Sequence, residues 1–77
     1  MKRLSLFQMK EKQKGRVVEI LSGQTLENRL MSMGIYKGRE IIKLSHIAFK
    51  GPVAIKVGRS VFALGHGMAS KIILEVE

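Results

Sequence analysis

The chain has 77 residues and a formal net charge of +8, with 14 Lys and Arg against 6 acidic residues, every one of them Glu. This length suits one small domain, residues 1–77, without a second hydrophobic core. There is no Cys, which excludes disulfides, thiolate metal sites and cysteine nucleophiles. The absence of Asp excludes a Ser-His-Asp triad and an Asp-led calcium loop. The composition therefore argues against an enzyme.

Residues 1–14 are a basic N-terminal segment, and the positive charge continues to residue 16. The bases are Lys2, Arg3, Lys10, Lys12, Lys14 and Arg16, against the single acid Glu11. Such a cluster serves either as a surface for phosphates or as a solvated, mobile chain end. The aromatic residues do not alternate with these bases, as they often do in nucleic-acid binders. This favours the solvated end and leaves nucleic acid as the less favoured partner.

The apolar residues do not form a targeting or membrane segment. The short apolar run after Arg3 is interrupted by Gln8 and Lys10, which leaves it below the ~7–15 residues of a signal-peptide core. Nothing approaches the ~20 apolar residues that span a bilayer. We therefore expect a soluble cytoplasmic protein without membrane insertion.

The first predicted elements are a strand and a short helix. Residues 15–21 are rich in β-branched side chains and lie between glycines, which predicts a strand whose inner face the pattern leaves open. Leu26, Leu30 and Met33 then repeat at helical spacing, with Ser22 or Thr25 as the N-cap. Gly34 is predicted to end this helix in a left-handed conformation, with Ile35 as the apolar residue that follows.

The rest of the chain predicts strands. Residues 40–49 alternate loosely, with Ile42, Leu44, His46 and Ala48 on one side. Residues 53–57 alternate cleanly, Gly58 starts a tight hairpin, and the strand at 60–64 is expected to bury Phe62 and Leu64. One helical turn at 68–70 precedes an alternating strand at 72–76. The pattern predicts a mainly β domain: a small barrel of about five strands with one short α-helix.

Few residues are candidates for chemistry. His46 and His66 are the only imidazoles, and a zinc site needs three or four protein ligands, so they are at most weak metal ligands. Residues 65–70 hold the first half of a G-x-G-x-x-G pattern but lack the third Gly, so a tight turn is the better interpretation. The sequence thus predicts no catalytic residue and no cofactor, and it leaves at most a weak metal site open.

An ordered set of motifs resembles the FeoA family, ferrous iron transport protein A. Residues 29–38, RLMSMGIYKG, resemble its R-L-x-x-M-G-[LI]-x-x-G segment. The later matches, in the family's order, are Gly51-Pro52-Val53, Val57-Gly58, Ala63-Leu64-Gly65 and Ala69-Ser70-Lys71-Ile72. The resemblance covers residues 15–77 and implies an SH3-like barrel.

The resemblance also implies a function. It suggests a small cytoplasmic accessory of ferrous iron uptake, acting as a protein-interaction module for a FeoB-type iron permease. A nucleic-acid-binding small barrel is the alternative, and a weak metal-binding regulatory module is the third possibility. The resemblance to an iron-uptake family makes weak association of Fe(II) the metal function that stays open.

The helix and its exit are the predicted partner surface. Helical periodicity turns Leu26, Leu30 and Met33 inward and Met31 toward solvent, with Tyr36 in the turn after the helix. Arg29, Met31 and Tyr36 are of the residue types enriched at interface cores, and they are the predicted partner-binding residues. The competing interpretation packs Met31 on the N-terminal segment.

Overall fold

The computed structural model describes residues 1–21, 23–46 and 51–77, and these residues form a mainly β domain. The strands are β1 (Lys2–Ser5), β2 (Lys14–Ile20), β3 (Glu40–His46), β4 (Val53–Val57), β5 (Ser60–Leu64) and β6 (Ile72–Val76). The helices are α1 (Gln24–Met31) and the single turn α2 (His66–Ala69), and a 3₁₀ turn covers Leu6–Gln8. No helix of the described residues is long and apolar enough to cross a bilayer.

The strands form one antiparallel sheet in the order β1-β6-β2-β3-β4-β5, so β1 and β5 are its edges. Bulges in the β2–β6 and β3–β4 pairings bend the sheet. The predicted mainly β fold with one short α-helix is confirmed, but the sheet has six strands and does not close into a barrel, because the edge strands β1 and β5 do not pair. The elements that directly follow these strands in the chain, the 3₁₀ turn and α2, pack against each other instead.

The N-terminal segment supplies a sixth strand that the sequence pattern did not indicate. In β1, Lys2 lies opposite Val76 and Ser5 opposite Ile73. Leu6 and Met9 are buried in the core, whereas every basic side chain from residue 2 to residue 16 is exposed. The basic side chains thus lie at the surface, as both interpretations of the cluster require, and the segment is part of the sheet and not a free chain end.

The alternating strands bury most of the residues that the pattern indicated, but Phe62 of β5 is only partly buried against the core, whereas Leu64 is buried. Val53, Ile55 and Val57 of β4 are buried, as are alternate residues of β6 from Ile72 onward. In β2 the bulge between Val17 and Glu19 shifts the register, which explains why alternation alone did not define an inner face. Ile55 is fully buried in this core.

Strand β3 differs from its predicted pattern. Its buried side chains are Ile41 and Lys43, whereas Ile42 and Leu44 are only partly buried. The pattern misled because a lysine occupies an inward position, where an apolar residue is the ordinary choice. The predicted positions Ala48 and Phe49 lie outside the described residues.

Helix α1 packs as its periodicity predicted, but it begins differently. Leu30 is fully buried, and Leu26 and Met33 pack partly buried against the core. The N-cap is Gly23 with no side-chain hydrogen bond, so the predicted cap Thr25 lies inside the helix. The other predicted cap, Ser22, lies outside the described residues.

Candidate functional site

An open apolar groove lies at the end of α1. Its volume is about 560 Å³. The lining residues come from β2, α1 and the turn after the helix: Ile20, Glu27, Met31, Ile35, Tyr36 and Lys37. Four of these six side chains are apolar or aromatic.

The ending of α1 shapes the groove. Ile35 N–H donates to the Leu30 carbonyl at 2.9 Å and Gly34 N–H to the Met31 carbonyl at 2.9 Å, which is the bond pair of a Schellman ending. Gly34 has φ +83°, a conformation that side chains resist, as its place in the sequence predicted. The motif buries Ile35 beside Leu30 and carries the chain back across the helix end toward Tyr36.

Met31 and Tyr36 both reach the surface on this groove. Met31 is 58% exposed and Tyr36 is 40% exposed. Packing of Met31 on the N-terminal segment would cover its side chain, and this exposure shows that it is not covered. The predicted partner-binding residue Arg29 is exposed on α1 but does not line the groove.

Arg39, which the sequence analysis did not select, holds Tyr36 in place. Its Nη1 donates to Tyr36 Oη at 3.3 Å, and its guanidinium carbon lies 5.9 Å from the centre of the Tyr36 ring. The turn is tied to β2, because Gly38 N–H donates to the Val17 carbonyl at 2.8 Å. The sequence signal that could have indicated this contact is the spacing of three residues between Tyr36 and Arg39 across a Gly-containing turn.

The two histidines meet around Phe7. The ring centroid of Phe7 lies 4.5 Å from that of His46 and 4.1 Å from that of His66, with both pairs nearly perpendicular. The described residues contain no group of three or more His, Cys, Asp or Glu side chains placed to hold a metal ion. The structure thus places both weak metal candidates in an aromatic cluster.

Lys43 connects β3 to the N-terminal segment from inside the core. Its side chain is only 1% exposed, and Nζ donates to the carbonyls of Phe7 at 2.8 Å and Met9 at 2.6 Å. His46 Nδ1 lies 3.3 Å from the same Nζ. An ammonium has three donors, so the charged form of Nζ supplies both carbonyls, and also His46 Nδ1 in the tautomer that leaves this nitrogen unprotonated.

The environment of Lys43 also affects its protonation. Burial lowers the pKa of this ammonium, and the negative charge of Glu11 opposes that shift. Amines with lowered pKa values occur at catalytic sites. Here Nζ is enclosed and directed at backbone carbonyls, so the arrangement is that of an internal clamp.

The basic cluster near the N-terminus is partly matched by acids. Lys14 Nζ lies 3.9 Å from Glu40 and Arg16 Nη2 lies 3.9 Å from Glu75, and all four residues border a second cavity of about 300 Å³. Glu77 also lines this cavity. Three carboxylates beside two bases do not favour the binding of a phosphate backbone.

Comparisons with known proteins agree with this architecture. The FeoA domain family matches residues 4–76. A crystal structure described as the iron uptake regulatory protein FeoA is 35% identical, with 97% of each chain covered and a TM-score of 0.87. The FeoA-like protein from Clostridium acetobutylicum is 26% identical, over 99% of this chain and 88% of that one, with a TM-score of 0.84.

A likeness of fold alone extends to a larger protein. A manganese-dependent transcriptional repressor is 18% identical with a TM-score of 0.86, and the match covers 97% of this chain but 42% of the repressor. The search of curated proteins gave no match. Because the family match covers nearly all of the described sheet and both helices, the chain belongs to the FeoA domain family.

Proposed function

We propose that this chain is a small cytoplasmic accessory protein of ferrous iron uptake, acting as a protein-interaction module for the cytoplasmic side of a FeoB-type permease. Membership of the FeoA family supports the connection to iron uptake. The observation that carries the interaction role is that Met31 and Tyr36 are both exposed and both line one apolar groove. Exposed apolar patches of this kind mark interaction sites on small soluble proteins.

The groove has the properties of a contact surface. Met and Tyr are enriched at interface cores, and Tyr36 is held by Arg39, so less side-chain freedom is lost on binding. Arg29 extends the proposed contact surface along α1. The function requires no catalytic residue and no resident cofactor.

The test measures binding of the purified cytoplasmic domains of a FeoB-type permease by calorimetry. We expect Met31→Ser and Tyr36→Ser each to weaken binding about tenfold or more, the range of residues central to an interface. The matched control is Val61→Ser on edge strand β5, which also removes an exposed apolar side chain, 62% exposed, and does not line the groove. Melting temperatures of all three variants separate lost contact from lost stability.

Three results would contradict the proposal. Absence of binding by the wild-type protein would remove the permease as partner. Equal binding by the two groove variants and the control would remove the groove as the surface. Displacement of the permease domain by RNA, with affinity falling steeply as salt rises, would favour the nucleic-acid alternative.

A further inference from the structure

The groove is open, and this limits what it binds. Small-molecule sites bury about 70–90% of their ligand. Here the side chains of Met31 and Tyr36 stand well into solvent, so a small ligand would remain largely uncovered. A polypeptide segment from a partner, which covers the groove and its rim together, suits such a surface.

The charges around the groove are not balanced within the chain. Residues 1–21, 23–46 and 51–77 contain two ion pairs within 4 Å. One is formed by Lys14 and the other by Arg16, and both of these side chains belong to β2. Lys37 lines the groove, and Arg39 touches it through Tyr36, without a carboxylate partner among those residues. Glu27 is the only acid in the lining.

Arg39 is positioned before any partner arrives. A Cβ built on Gly58 would lie 2.5 Å from Arg39 Nη2, so the end of the guanidinium packs directly over the glycine of this hairpin. The Tyr36 hydroxyl accepts a hydrogen bond from Nη1, the other terminal nitrogen of the same guanidinium. A guanidinium held in this way is suited to a carboxylate, because its planar fork forms paired hydrogen bonds with little further ordering.

We propose that the groove binds an acidic amphipathic segment of the partner, with apolar side chains on Met31 and Tyr36, which are exposed there, and carboxylates on Arg39 and Lys37. This rests on the proposed function for the identity of the partner protein, but not for the chemistry of the segment. The net charge of +8 agrees with an acidic partner and increases the rate of encounter.

The first experiment uses the permease domains and compares charge reversals at two places. We expect Lys37→Glu to weaken binding about threefold to tenfold, and Glu27→Gln to strengthen it about twofold, because it removes the only acid of the lining. The matched control is Lys10→Glu, which makes the same change of charge on an exposed side chain outside the groove. We expect the control to change affinity by less than about twofold.

The second experiment needs no permease. Labelled peptides of one length carry leucines at fixed positions, separated by Glu, Gln or Lys, and their binding is followed by fluorescence anisotropy. We expect the Glu peptide to bind most tightly, with Arg39→Gln and Met31→Ser both reducing its affinity and added salt weakening it. Binding of the Gln peptide as tight as that of the Glu peptide would overturn the inference.

The two experiments separate the two proposals. Permease binding that is lost in Met31→Ser, yet equal in Lys37→Glu and Lys10→Glu, would leave the proposed function standing and overturn the acidic segment. Selective binding of the Glu peptide without any binding of the permease domains would leave the acidic segment standing and overturn the proposed function.

Discussion

Replacing Lys43 by Met tests the buried clamp between β3 and the N-terminal segment. Met has a similar length and no donor, so Lys43→Met removes three polar contacts with little change in volume. The carbonyl oxygens of Phe7 and Met9 then lose the Nζ donor, at about 1–3 kcal/mol for each buried acceptor. Removing a buried ammonium offsets part of this cost.

We expect a net loss of about 2–4 kcal/mol in the free energy of unfolding. This is a large share of the ~4–12 kcal/mol that is typical for a chain of this length. Urea denaturation followed by circular dichroism at pH 7 measures the loss. The control is Lys56→Met on the exposed face of β4, for which we expect a change within about 0.5 kcal/mol. Equal midpoints for the two variants would refute the clamp.

The pH dependence gives a second measurement of the same group. Burial lowers the pKa of Lys43 from 10.5, with the charge of Glu11 opposing, so the unfolded chain binds more protons than the folded chain just below pH 10.5. Raising the pH through that interval therefore stabilises the folded wild-type protein. We expect its stability advantage over Lys43→Met to widen up to about pH 10.5 and then to stay constant. If the stability advantage of the wild-type protein instead became smaller as the pH rises, the lowered pKa of Lys43 would be contradicted.

Three further predictions concern the core, the hairpin and the histidines. Ile55→Ala should destabilise the fold by about 2–5 kcal/mol in urea denaturation, because the fully buried side chain leaves a cavity; an unchanged midpoint would contradict this. Gly58→Ala should lower the melting temperature more than Gly65→Ala, since only Gly58 has a positive φ, +62°, which L side chains resist; equal melting temperatures would refute that reason. Calorimetry should give only weak Fe(II) or Zn(II) binding; a stoichiometric submicromolar site that is lost when His46 and His66 are both replaced by Ala would overturn this.

Features that depend on neighbouring residues were predictable from the sequence. The alternation of Val53, Ile55 and Val57 determines which face of β4 is buried, because successive strand side chains point in opposite directions. The ending of α1 at Gly34 follows from one glycine and the apolar residue after it. Local spacing also predicted that Met31 would be exposed.

Two of the six residues that line the candidate site were predicted in this way. Met31 and Tyr36 follow from helical periodicity and from the turn after it, and the structure places both on one groove. Ile20 joins them from β2, and Arg39 reaches them from the far side of the turn. No pattern along the chain states which strand packs beside a helix end, so the groove itself was not predictable.

The sequence by itself determined the β4 and β6 patterns and the helix ending, because each depends on residues a few positions apart. It also carried the family resemblance, because the order of short motifs along a chain can be compared without knowing the fold. The tertiary structure decided the rest through contacts between distant residues. Strand β1 pairs with β6 at the other end of the chain, and Lys43 reaches Phe7 across 36 positions. A lysine in a strand normally indicates an exposed position, because burying its ammonium is costly unless hydrogen-bond acceptors surround it. For Lys43 those acceptors come from a distant segment, so only the folded chain shows this lysine inside the core.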